Sequence, residues 1–206
     1  QALGVIISNP TMGGVDLKDD WYISVKVNKG DLPHVTFYVP ATNVDAMTES
    51  IGEDFSFAMK GKWVAYSEAE EATQAVKQCI AGKRKSISTV MDRRSTELFN
   101  GNEISAFINI KNLSTTFSDE IAGADEQLDA ALEQFSALIP ETPGMNIGAI
   151  FNMYGGMGHG LIQGVRDSEA FTLGVGISED ALTFEELLVV TPDTKTATAL
   201  SKHTTS

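Results

Sequence analysis

A repeated local pattern constrains the fold of this chain more than any other feature. Two runs in which apolar and polar residues alternate are joined by a short polar turn and followed by a helix-like segment, at 21–51, 54–81 and 169–203. Such alternation is typical of half-buried strands, and consecutive hairpins favour antiparallel order. The pattern therefore predicts an α+β fold: a twisted antiparallel sheet built from β-hairpin-plus-helix units, with helices on one face.

Polar residues that favour helix starts stand before several of the helix-like segments. A Ser, Thr or Asn side chain at the N-cap accepts a hydrogen bond from a free backbone N–H of the first turn. Gly82 follows the segment 68–80, where a left-handed residue commonly ends a helix. The caps that this reasoning predicts are Thr42 or Asn43, Ser67, and Ser86 or Ser88.

One long amphipathic helix is predicted at about 113–139. Its apolar residues recur at spacings of three and four, which places them on one continuous stripe. We expect this helix to cross the sheet and to supply much of the core. The stripe consists of Leu113, Phe117, Ile121, Ala124, Leu128, Leu132, Phe135 and Ile139.

The segment 145–165 is rich in glycine and methionine, and its structure is ambiguous. Its glycines allow either a helix packed closely on a sheet or a loop. The run Gly155–Gly160 resembles an anion-binding loop, but it lacks the Lys and Ser/Thr of a phosphate loop and the spacing of a dinucleotide fingerprint. Close backbone packing is therefore the favoured interpretation, and contact with a ligand is the alternative.

Candidate ligand-binding residues come from this same segment: Met153, Tyr154, Met157 and His159. Methionine side chains form adaptable binding surfaces, although at helical spacing they also fill ordinary cores. The three histidines, at 34, 159 and 203, lack the spacing of metal ligands on a helix. We therefore predict no catalytic residue, no metal site and no cofactor.

Acidic residues are numerous but form no catalytic pair in the sequence. Glu185 and Glu186 are adjacent in a predicted strand, so that their side chains point to opposite faces. Acidic residues on the long helix are expected to form a solvated face, with a weak cation site as the alternative: Asp119, Glu120, Asp125, Glu126 and Asp129.

Composition limits the classes of partner. The 206 residues carry 15 basic and 28 acidic side chains, a net charge of −13, which disfavours binding to nucleic acid or an anionic membrane. No run reaches the roughly 18 apolar residues of a membrane span. Cys79 cannot form an intramolecular disulfide and is expected in the core. We predict a single domain over 1–206.

The chain begins at Gln1 without a methionine or a charged, apolar leader. This start leads us to expect a processed product or a fragment of a longer protein.

Several short stretches resemble secreted or lipoprotein-type bacterial families of unknown function, of the kind found in planctomycetes and in Bacteroides-like bacteria. The resembling stretches are 14–18, 35–46 (VTFYVPATNVDA), 62–67 (KWVAYS), 85–87 and the closing hairpin at 171–190. The resemblance implies an extracytoplasmic location, in the periplasm or at the cell surface, and it supplies no catalytic residues.

Three hypotheses about function follow. The first is a non-enzymatic structural or interaction module with a protein partner or self-association. The second is a carrier of a small molecule or lipid, with a cavity between the sheet and the long helix. The third is an unrecognised enzyme, which would require His159 to lie near a carboxylate inside a cleft.

Overall fold

The computed structural model describes residues 4–5, 7–138 and 147–202, and the chain divides into two compact units. Unit 1 is Gln1–Ile87 and unit 2 is Ser88–Ser206. Each unit contains an antiparallel sheet, with four strands in unit 1 and three in unit 2. The predicted α+β class is thus confirmed, with its strands distributed over two sheets. The prediction of a single domain over 1–206 stays a prediction.

Unit 1 contains two of the predicted hairpin-plus-helix units. Its sheet has the strand order β1-β2-β4-β3, and every neighbouring pair is antiparallel. The elements are β1 Tyr22–Lys26, β2 His34–Pro40, α1 Val44–Ile51, β3 Ser56–Lys60, β4 Trp63–Ser67 and α2 Glu70–Ile80. Helix α2 packs on β2, β3 and β4.

Of the helix caps predicted for unit 1, one is confirmed and one is wrong. Asn43 caps α1, because its side-chain oxygen accepts a hydrogen bond from the Ala46 N–H at 3.1 Å. The prediction that Ser67 caps α2 is wrong, since the helix begins at Glu70. The Ser67 hydroxyl instead donates to the Val35 carbonyl at 2.6 Å and accepts from the Ala69 N–H, which holds the turn before the helix.

The core of unit 1 is centred on Tyr66. Its ring stacks on Phe37, with centroids 5.3 Å apart, and meets Phe55 edge-on. The Tyr66 hydroxyl donates to the Ile7 carbonyl at 2.5 Å, and burial raises the pKa of that hydroxyl. The other buried apolar members of the cluster are Ile7, Val15, Val39, Ala41, Met47, Ile51 and Val64.

Gly14 joins the N-terminal loop to the start of α1. Its carbonyl accepts hydrogen bonds from the N–H groups of Thr42 and Asn43, at 2.8 and 3.2 Å. Its φ of +70° lies in the left-handed region that glycine adopts at little cost. A Cβ at this position would collide with the Asn43 carbonyl and stand 2.7 Å from the Met47 nitrogen.

Unit 2 contains the third hairpin-plus-helix unit and most of the helical residues. Its sheet has the order β5-β6-β7, and the Ser178 N–H donates to the Ala181 carbonyl in the turn between β6 and β7. After a 3-10 turn at Ile87–Thr89, the elements are α3 Arg93–Asn100, β5 Ile104–Ile108, α4 Ile110–Thr116, α5 Ser118–Leu138, α6 Ile147–Asp167, β6 Ser168–Ile177, β7 Leu182–Val190 and α7 Lys195–Ser201.

Two predictions about the end of α2 and the region after it are wrong. The helix expected from Ser86 or Ser88 begins at Arg93, because Asp92 caps it through a 2.6 Å hydrogen bond to the Ser95 N–H. Cys79 is half-buried rather than in the core, and its Sγ lies 3.6 Å from the Lys85 carbonyl oxygen.

The long amphipathic helix is confirmed as α5, but its start and its packing partner differ from the prediction. Phe117 ends the short helix α4, so that the stripe is divided between two helices. Helix α5 packs mainly on α6 and also on α4, rather than across a sheet, and none of its residues is fully buried. Phe135, expected in the core, is 60% exposed. Residue 139 lies outside the described residues.

The glycine-rich segment forms helix α6, which settles the choice between helix and loop from 147 onwards; residues 145 and 146 lie outside the described ranges. Its close partner is α5 rather than the expected sheet. A Cβ on Gly158 would stand 2.5 Å from Leu128 Cδ2, and one on Gly155 would stand 3.0 Å from Leu132 Cδ1. Glycine at these positions therefore lets α5 approach closely.

None of the helices in the described part of the chain combines the length and the apolar character of a membrane-spanning segment.

Candidate functional site

The four predicted ligand-binding residues lie on α6, but they do not form one group. Met153, Tyr154 and Met157 are 55%, 56% and 60% exposed. His159 instead contacts α5. The three exposed side chains offer an apolar surface with one hydroxyl group, and a ligand role for the four residues stays a prediction.

His159 belongs to a charged cluster that joins α5 to α6. Its Nδ1 lies 2.7 Å from Asp125 Oδ1, and its Nε2 lies 3.0 Å from Asp129 Oδ1. Arg166, two turns further along α6, donates to Asp125 Oδ2 at 2.5 Å and to the Ile121 carbonyl at 2.6 Å. Asp125 and Asp129 therefore both contact α6. Asp125 is half-buried, which corrects the prediction of a solvated face at that position, whereas the Asp129 side chain is 65% exposed and stays solvated as predicted.

The cluster shifts the protonation equilibria of two of its members. Hydrogen bonding to Asp125, and next to Asp129, raises the pKa of His159. Hydrogen bonds from His159 and then Arg166 lower the pKa of Asp125. The charged forms of both side chains are thus favoured, as expected for an ion-paired group.

This geometry suits a cross-link between helices better than catalysis. General acid–base chemistry needs a ring nitrogen that can exchange a proton with a substrate. Both nitrogens of His159 are engaged by carboxylates. Within the described ranges, no three His, Cys, Asp or Glu side chains are placed to hold a metal ion.

The stability of unit 2 is expected to depend on pH through His159. Because its pKa is raised from 6.5 in the folded chain, its contribution is complete below about pH 6.5 and is lost as the pH rises through the folded value. Asp125, whose pKa is lowered from 3.8, contributes above that value and loses its contribution as the pH falls through its folded pKa. The cluster should therefore stabilise unit 2 most between about pH 3.8 and about pH 6.5.

An NMR titration of the histidine ring protons checks this expectation. The resonance that is missing from His159→Gln identifies His159, and its midpoint should lie above 6.5. The stabilising effect of wild type over His159→Gln, measured by urea unfolding, should decrease from about pH 5.5 to about pH 9. A midpoint below 6.5, or a difference that grows with pH, would contradict the geometry.

An acidic depression lies beside α1 in unit 1. It has a volume of about 400 Å³ and is lined by Asp45, Thr48, Glu49, Gly52, Glu53 and Phe57. Carboxylates in such a setting attract cations in general. No described feature identifies a particular ligand for this depression.

A second surface lies on the three-stranded sheet of unit 2. Directly paired residues of antiparallel strands point to the same face. The register places Ile104, Val175 and Phe184 in one row, and Ile108, Phe171 and Leu188 in another. Ile177 pairs with Leu182 at the end of the hairpin. We call this side of β5, β6 and β7 the open sheet face.

Large apolar side chains on the open sheet face are exposed to solvent. The central strand contributes half-buried Phe171, Leu173 and Val175. The outer positions are exposed by between 43% and 66%: Ile104, Ile108, Ile177, Leu182, Phe184 and Leu188. The largest exposed apolar patch on a typical monomer is about 300–600 Å² and is often a functional site.

The opposite face of the same sheet is covered. A Cβ on Gly174 of β6 would meet Leu98 Cδ1 of α3 at 3.0 Å and the side chain of Asn102. Alternate residues of β6 on this side, among them Ala170, Thr172 and Gly174, are buried. Among the described residues, this side of the sheet is therefore the more closely packed one, although both sides carry apolar residues.

Comparison with known proteins identifies no relative of this chain: no family model, no curated protein and no solved structure matches it.

Proposed function

We propose that this chain is a non-enzymatic interaction module and that the open sheet face is its docking surface. The observation that carries the proposal is the exposure of six large apolar side chains on this face, while α3 covers the other face of the same sheet. Contiguous exposed apolar patches often mark protein interaction sites.

The energetics favour a protein partner of moderate size. Burying apolar surface contributes about 25 cal/mol per Å² before the entropic costs of association are subtracted. Those costs consume a large part of the gain, so that the face alone supports a specific but reversible complex. An extracytoplasmic location also belongs to the proposal, and it rests on the resemblance of short stretches such as 35–46 and 62–67.

The carrier hypothesis has less support. It requires a cavity between a sheet and the long helix, whereas α5 packs mainly on α6 and also on α4. The depression of about 400 Å³ lies beside α1 in unit 1 and is lined by carboxylates, which suit neither a lipid tail nor an apolar ligand.

Selection from a displayed random-peptide library tests the docking surface. The wild-type chain should enrich apolar peptides, and the double variant Leu182→Ser/Phe184→Ser should bind them at least about tenfold more weakly, because it removes the two most exposed of the six large apolar side chains on the face. Since Leu182 and Phe184 are 62% and 66% exposed, the double variant should lose less than about 1 kcal/mol of unfolding free energy.

The matched control is Met153→Ser/Met157→Ser, which removes two exposed apolar side chains from α6. This variant should bind the selected peptides as the wild type does. Loss of binding in the α6 variant alone would show that the docking surface lies on α6. Equal binding by both variants and the wild type would show that neither surface docks a partner.

A further inference from the structure

Glu186 places a carboxylate within the apolar open sheet face. It pairs with Leu173 in the register, and its neighbours on the same side of β7 are Phe184 and Leu188. Glu186 is exposed, and it makes no hydrogen bond or ion pair with any residue that the structure describes. A partner that covers the face must therefore cover this charge as well.

The strands around Glu186 carry negative charge and no cation. The strands β5, β6 and β7 contain no Lys or Arg, and the turn between β6 and β7 carries Glu179 and Asp180. Unit 2 has six basic and seventeen acidic residues, a net charge of −11, so that it holds most of the chain's net charge of −13. The partner thus meets an apolar surface in a strongly negative field.

The carboxylate selects among the possible partners. A purely apolar surface would take the Glu186 carboxylate out of water without compensation, which is strongly unfavourable. A second copy of the chain would bring the same face, with no cation and with another acidic unit. A Lys or Arg on the partner supplies the missing charge and steers association.

The dimensions of the face suit a single helix. Three strands about 4.8 Å apart span roughly 10 Å, close to the diameter of an α-helix. A helix on one side of an antiparallel sheet is also an ordinary two-layer arrangement. The occupant that matches both the width and the charge is an amphipathic helix with basic residues.

We infer that the partner of the open sheet face is a basic amphipathic helix of another protein, with its apolar side packed on β5, β6 and β7 and a Lys or Arg paired with Glu186. This inference rests on the proposed docking function. It adds the chemical class of the partner and the residue that selects it.

Two labelled model peptides of about 18 residues test the inference on the full chain by fluorescence anisotropy. Both carry Leu at helical spacing, and the remaining positions are Lys and Gln in one peptide and Glu and Gln in the other. The lysine peptide should bind at least about tenfold more tightly than the glutamate peptide. Added salt should weaken its binding.

Two variants with the same change of net charge locate the effect. Glu186→Gln should weaken binding of the lysine peptide by about fivefold. Glu185→Gln, on the opposite side of β7, should leave it nearly unchanged, because alternate residues of a strand point to opposite faces. Equal effects of the two substitutions would show that the preference for the lysine peptide comes from general charge attraction. This result would overturn the role of Glu186.

The other outcomes separate this inference from the proposed function. The two peptides could bind equally well, and Leu182→Ser/Phe184→Ser could abolish the binding of both. This result would support the docking surface but would contradict the inference that the partner is basic. Failure of both peptides to bind would overturn the helix as occupant, while the library selection would still decide the docking surface. A dimer in sedimentation experiments that Leu182→Ser/Phe184→Ser dissociates would make a second copy the partner and overturn the inference.

Discussion

Replacing Tyr66 with alanine is expected to lower the unfolding free energy of unit 1 by about 4 kcal/mol. The ring is fully buried, stacks on Phe37 and meets Phe55 edge-on. Its removal leaves a cavity in a close-packed cluster and deprives the Ile7 carbonyl of its donor. Both tryptophans of the chain, Trp21 and Trp63, lie in unit 1, so that urea unfolding followed by tryptophan fluorescence reports on this unit.

Tyr66→Phe separates the hydroxyl group from the ring. This variant keeps the aromatic contacts and loses only the 2.5 Å hydrogen bond to the Ile7 carbonyl, so that about 1–2 kcal/mol of destabilisation is expected. A loss below about 1 kcal/mol for Tyr66→Ala would show that the ring does not occupy the centre of the core.

Gly14→Ala is the second substitution for which we expect a large loss, of about 3 kcal/mol or more in unit 1. Its φ of +70° is unfavourable for a residue with a Cβ, which costs about 1–2 kcal/mol. The added Cβ would also collide with the Asn43 carbonyl, and the backbone around the start of α1 cannot move aside without weakening the hydrogen bonds to the Gly14 carbonyl. Urea unfolding followed by tryptophan fluorescence measures the loss.

Gly61→Ala provides the matched control in the same unit. Gly61 has a similar φ of +59°, but nothing lies within 4 Å of the position that its Cβ would take. The substitution should therefore cost only the conformational contribution, about 1–2 kcal/mol. Equal losses at the two positions would show that the collision at Gly14 is relieved by movement of the loop.

The hairpin units were predictable because their determinants are local. Alternation fixes which residues of a strand share a face, and turn residues fix where the chain reverses. The strands on either side of Ser178, and the cap of α1 at Asn43, therefore agree with the sequence. The failed caps, Ser67 and Ser86 or Ser88, show that several polar residues near a helix start satisfy the same local rule.

The packing of the long helix could not be predicted from its own stripe. A stripe at helical spacing indicates that a helix buries one side, but not which element covers it. Here the partner is α6, whose glycines create room for Leu128 and Leu132. The contacts of Asp125 and Asp129 with His159 could not be predicted either, because these residues are about 30 positions apart and their contact depends on how the helices pair.

The open sheet face was missed for a related reason. Alternating apolar residues in β7, such as Leu182 and Phe184, are typical of a strand whose apolar face is covered by another element. The sequence does not reveal whether the cover belongs to the same chain. The long helix was expected to serve as that cover, and its position beside α6 leaves the face exposed.

The glycines of α6 have a consequence for dividing the protein into smaller pieces. Six glycines within one helix of 21 residues cost about 6 kcal/mol of intrinsic helix stability relative to alanine. We therefore expect that an isolated α6 peptide would not stay helical in water. The helix is stabilised by its packing partners, among which α5 supplies Leu128, Leu132 and the carboxylates around His159. Any shortened form of unit 2 must keep the two helices together.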